Sequence, residues 1–155
     1  MRLSKNFVLS EITRSDTANR LGINNEPTKK DLENIQRLVT NILQPLRNHL
    51  GPIRISSGYR NKELNRAIGG STKSQHCKGE ALDIQFWRDG KMCNKEIYQW
   101  IIDNAIEFDQ MINEFDFSWI HISLKKSKNR REVLEAYKDE DGDTKYRFAP
   151  DIITL

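Results

Sequence analysis

Two short segments limit the folds open to this chain. Glu80–Phe86 and Trp119–Leu124 both alternate in hydrophobicity at the two-residue period of a β-strand. On the first, Leu82 and Ile84 point one way, while Ala81, Asp83 and Gln85 point the other. On the second, Ile120 and Ile122 share a face, and Trp119, His121 and Ser123 share the opposite one. Strands of this kind must bury one face against another layer, which leaves the other face for polar chemistry. A sheet covered on one side is therefore expected.

The covering layer is also legible. Leu32, Ile35, Leu38, Val39, Ile42, Leu43 and Leu46 recur at three- and four-residue spacing, which predicts a helix over 29–50. Thr28 and Asp31 have capping-box spacing at its start. Pro45 removes a backbone donor and should bend or locally break it, and Gly51-Pro52 ends it. Ile53–Ser56 reads as a strand, and Asn61 as the cap of a short helix through Ile68, stopped by Gly69-Gly70. Asn94 is placed to cap a helix carrying Ile97, Trp100, Ile101 and Ala105. A strand near Gln110–Asn113 precedes Trp119–Leu124. A C-terminal hairpin over about 131–150 turns at Asp141-Gly142. The fold class is α+β: a small antiparallel sheet with flanking helices. The 155 residues carry no repeat or linker, so one domain over 1–155 is expected.

No stretch approaches the roughly 20 apolar residues of a membrane span, and the N-terminus lacks a secretory apolar region. The expectation is a chain made in the cytoplasm without a signal peptide. Two cysteines, Cys77 and Cys93, form no disulfide framework and read as ordinary thiols. The net charge is +3, with cations concentrated in Lys125–Arg131. That run reads as a solvated loop, with attraction to a polyanion, a bacterial wall or nucleic acid, as the functional alternative. Asp139–Asp143 lacks the glycine and glutamate positions of a calcium loop and reads as a turn.

Of three histidines, His49 falls at a helix end, where packing explains it. His76 precedes a glycine turn and the strand that carries Asp83. If the two alternating strands pair antiparallel, opposing Cβ atoms lie about 4.5–5.5 Å apart. Asp83 and His121 then reach one ion, with His76 arriving from the loop. Two imidazoles and a carboxylate leave a fourth tetrahedral position open, as in catalytic zinc sites. His-Glu-x-x-His is absent, and spacing alone favours unrelated polar histidines.

The wording around these residues is more specific. Phe7-x-Leu9-Ser10-Glu11, Arg14-Ser15, Ser57-Gly58-Tyr59-Arg60, Leu64-Asn65, Gly69-Gly70, Ser74-x-His76-x-x-Gly79-x-Ala81-x-Asp83 and Trp119-Ile120-His121-Ile122-Ser123 follow in that order. Together they resemble the M15 family of zinc peptidases, in its D-alanyl-D-alanine carboxypeptidase-like subgroup, over about residues 6–124. The resemblance implies a hedgehog/DD-peptidase-like fold and one Zn2+ held by His76, Asp83 and His121. It implies Arg60 as a catalytic and substrate-positioning residue, and Ser74 as a turn residue that orients a ligand or meets substrate. Trp119 is a cleft wall or plain packing, and Tyr59 stands in the same position. Several branches place a glutamate three residues before the last histidine, where this chain has Ser118. Glu114 is the expected general base, with Asp116 the alternative. The implied substrate is peptidoglycan peptide, with no nucleic-acid partner and a monomeric chain. The implied setting is the cell wall, reached through phage-mediated lysis and a partner-made membrane pore, a holin. A zinc-bearing wall-binding or virion module without turnover is the rival reading.

Overall fold

The computed structural model describes residues 1–149. Two short helices open the chain, α1 (Leu9–Thr13) and α2 (Asp16–Leu21). The long predicted helix is α3 (Lys29–Leu38), a π-helical turn (Val39–Leu43) and α4 (Gln44–Leu50). The π-turn lies just before Pro45, which has no amide hydrogen to bond back along the helix, so the expected break appears as a widened turn. Strand β1 (Ile53–Ser57), helix α5 (Lys62–Ala67) and a 3-10 turn (Gln75–Lys78) follow. Then come β2 (Ala81–Arg88), β3 (Lys91–Met92), α6 (Asn94–Asp103), β4 (Gln110–Glu114) and β5 (Trp119–Ser123). The expected hairpin is β6 (Glu132–Lys138) with β7 (Thr144–Phe148). Position 150, its expected end, lies outside the described residues.

Among the described residues the strands form one sheet in the order β1-β2-β5-β4-β6-β7, with β3 paired to β2. One feature departs from the all-antiparallel expectation: β6 runs parallel to β4. After β5 the chain returns past the start of β4 and enters on its far side, so the sheet is mixed. Leu82, Ile84, Phe86, Met111, Ile120 and Ile122 join one buried cluster with Ile35, Leu38 and Leu46 of the long helix and Ile97 and Ile101 of α6. Each such side chain contributes about 1.5–3 kcal/mol on burial. No helix among the described residues is long and apolar enough to cross a membrane.

Two polar residues act differently from expectation. Asn94 opens α6 but caps nothing. Its Oδ1 accepts from the Phe86 amide at 2.8 Å, and its Nδ2 donates to the Phe117 carbonyl at 2.7 Å. Buried, it bonds the sheet to the turn before β5 instead of the helix end. Thr28 does accept from the Asp31 amide at 3.1 Å. The Asp31 carboxylate is taken instead by the Tyr59 hydroxyl at 2.7 Å, so the reciprocal half of the capping box is missing.

Candidate metal centre

β2 and β5 pair antiparallel with Asp83 directly opposite His121. Both side chains stand on the face away from the helices. His76 arrives from the 3-10 turn, whose start is fixed by Ser74: its Oγ accepts from the His76 amide at 3.3 Å. The turn ends at Gly79, left-handed at φ 73°, where any side chain would run into the Asp31 backbone carbonyl. This is why the histidine is followed by a glycine at that spacing.

His76 Nδ1 lies 2.8 Å from the Gly58 carbonyl oxygen. A carbonyl only accepts, so Nδ1 carries the hydrogen and Nε2 keeps its lone pair for the site. Gly58 is itself constrained, because a Cβ there would collide with the Ile12 carbonyl oxygen. The tight packing of α1 against β1 thus delivers the carbonyl that orients His76.

Asp83 Oδ1 lies 3.4 Å from His76 Nε2 and 3.0 Å from His121 Nδ1. One ligand-type atom from each residue falls within 4.8 Å of the others, a group that could hold a metal ion. Burial works to raise the Asp83 carboxyl, but the His121 imidazole hydrogen-bonded to it, and then the nearby His76 imidazole, outweigh that and hold the group well below the usual carboxylate range. Two nitrogen donors and one anionic oxygen suit a divalent ion with room for a further ligand. Asp139, Asp141 and Asp143 also converge. There Asp139 Oδ1 accepts from the amides of Asp141 and Asp143 at 2.9 Å each, which makes the segment the expected turn.

The group lies in an open cleft of about 820 Å³. Glu114, at the end of β4 opposite Trp119, is buried in the same cleft. Desolvation raises its carboxyl above the usual value; His121 opposes this and the Asp83 charge adds to it. Asp116 is exposed in the following turn, at a left-handed φ of 56°. Ser118, where other branches carry a glutamate, builds that turn by donating to the Phe115 carbonyl at 2.7 Å. Of the two candidate acids, only Glu114 lines the cleft.

Arg60 also lines it and donates from Nη2 to Ser74 Oγ at 3.1 Å. Its buried Nε has no partner among the described residues, so one donor of the fork is unspent. Ser74 therefore touches both Arg60 and the His76 amide. Trp119 lines the cleft and meets Phe115 edge-on at 5.6 Å. Tyr59 is buried against Asp31, a packing residue and no wall. Cys77 and Cys93 are free thiols, and Cys77 stands outside the converging group. His49 stacks on Trp100 at 5.7 Å, as packing.

Sequence reasoning missed a buried hub beside the site. Asp109 is fully buried, and Arg130 grips it from Nε at 3.1 Å and Nη2 at 2.8 Å. Lys125 Nζ lies 3.6 Å away, and Gln75, the neighbour of His76, donates to Asp109 at 3.1 Å. Burial pushes the Asp109 carboxyl up, yet the Arg130 hydrogen bonds prevail and bring it down to about 2. Two members of the basic run thus turn their charges to Asp109, Lys125 partly buried and Arg130 still half exposed, while Lys126, Lys128 and Arg131 are exposed. The only sequence hint was an acid just before a strand and a cation run just before the next.

The family model described as Peptidase M15 matches residues 5–123. No curated protein matches the chain.

Proposed function

The chain belongs to the peptidase M15 family and is a hydrolase of peptide bonds; from that premise we propose that it is a zinc-dependent peptidase acting on the stem peptides of bacterial peptidoglycan. The observation that carries this reading is the meeting of His76, Asp83 and His121 in an open cleft that also holds Glu114. Those three side chains would hold the ion, and a nitrogen-rich set of this kind favours zinc. When bound, zinc supplies a Lewis acid that polarises a carbonyl and acidifies water.

The chain's own residues supply the rest. Glu114 takes a proton from the attacking water and returns it to the leaving amine. Its raised pKa suits the second half of that task, since the protonated acid is more readily held. Arg60, braced by Ser74, pairs with a substrate carboxylate or steadies the charge that grows on the carbonyl oxygen. Trp119 walls the cleft. The bond cut is a D-Ala-D-Ala terminus, a cross-link or an L-Ala-D-Glu bond. The setting we propose is a phage endolysin that reaches the wall through a holin pore, or the same protein in a prophage.

The rival reading, a zinc-bearing wall-binding or virion module, drew its support from the missing glutamate at Ser118. Glu114 in the cleft favours the enzyme. The test is mass analysis of purified peptidoglycan fragments after digestion, with and without chelator, for the natural protein and Glu114→Gln. A released D-alanine, an opened cross-link or a freed L-alanine terminus is expected, lost in both controls while the variant keeps its zinc. Intact fragments from the zinc-loaded natural protein would support the module.

A further inference from the structure

The geometry points to Tyr146 as a substrate-contacting residue of this cleft, whose phenol hydroxyl donates a hydrogen bond to the scissile carbonyl oxygen as that oxygen gains negative charge. The assignment rests on the peptidase reading but lies outside residues 5–123, the span matched by the family model.

Register is the first observation. Trp119 pairs with Glu114, Glu114 with Ala136, and Ala136 with Tyr146. The four therefore form one cross-strand row on the face that carries Asp83 and His121. The residue between Glu114 and Tyr146 is only an alanine. Two strand spacings separate their backbones by about 10 Å, and nothing larger than a methyl group stands in the row between the two side chains. A long acid and a long phenol can close that gap over Ala136.

The cleft lining is the second. Tyr146 lines the same cleft as Glu114, Asp83 and His121, from the side opposite Arg60. It is 55% exposed, so its ring is not committed to the core. Among the described residues no group accepts its hydroxyl hydrogen. Lys138 and Thr144 beside it bond to each other at 2.7 Å, which holds this end of the hairpin in place. The phenol is also raised above its ordinary value, by partial burial and then by the Glu114 and Asp83 charges. It stays protonated at neutral pH, in its donor form.

The test compares the zinc-loaded natural protein with Tyr146→Phe, which keeps the ring and removes the hydroxyl. Turnover of a stem peptide should fall about 100-fold in kcat, the low end of the range for loss of one oxyanion donor, with KM changed less than about threefold. The second readout needs no turnover: calorimetric binding of a pseudopeptide with a phosphinate in place of the amide, a tetrahedral anion. Its affinity should fall about tenfold in the variant, with unchanged zinc affinity and unfolding midpoint. Equal phosphinate binding by both proteins, or none by either, overturns the assignment whatever the turnover. A natural protein that cuts no peptide, yet loses phosphinate affinity in the variant, would sink the peptidase reading and leave the Tyr146 contact standing.

Discussion

Glu114 is under opposed demands. Its place in the cleft suits proton transfer, while burial makes its charged form costly to the fold. The sign follows from linkage. A carboxyl whose pKa is raised on folding contributes its stability below the unfolded value, near 4.3, and that contribution is lost as pH rises through the folded value. Glu114→Gln should therefore cut turnover by roughly 100-fold or more, yet leave the metal-free protein more stable than the natural one at pH 7. The two should converge near pH 4, and urea unfolding at both pH values checks this. Much at this scale was legible in advance. Alternation put Asp83 and His121 on one face, and motif wording singled out His76, Arg60 and Ser74. The Gly58 carbonyl that sets the His76 tautomer was not, because a backbone oxygen's partner leaves no mark on residue type.

The strand connections were harder to read. β6 enters beside β4 because the loop from β5 is pinned at Asp109, where Arg130 and Lys125 close on one buried carboxylate. An ion pair between an isolated acid and a cation-rich loop has no local periodicity, so the parallel pairing could not be foreseen. Asn94 misled for a related reason: a cap and a strand tie use the same side-chain atoms. Asp109→Asn should cost about 2 kcal/mol at pH 7, the scale of hydrogen bonds to a charged group. The Asp109 carboxyl is depressed on folding to about 2, so its contribution is present above the unfolded value near 4 and is lost as pH falls toward 2. The gap between variant and natural protein should shrink over that window in denaturant titrations. Gln75 shares the hub, so the variant should also bind zinc more weakly.

At the scale of the molecule, α+β architecture followed from the two kinds of hydrophobic period, and the helices do cover one face of the sheet. The opposite face gathers the polar chemistry from strands and loops that meet only in the folded state. A metal held there binds the native form alone and must stabilise it. At a free zinc concentration about 100-fold above Kd, the gain is about 2.7 kcal/mol, or roughly 5–10 °C in Tm for a domain of this size. Scanning calorimetry should show that rise, its reversal by chelator and its loss in His121→Ala. The β6–β7 hairpin gives the interior little, chiefly Val133 on β6. The metal-gathering register is written two strands away, in β2 and β5. The hairpin can thus vary around Tyr146 without disturbing either the hydrocarbon interior or the ion, so close kin of this chain should diverge there first while keeping that one phenol.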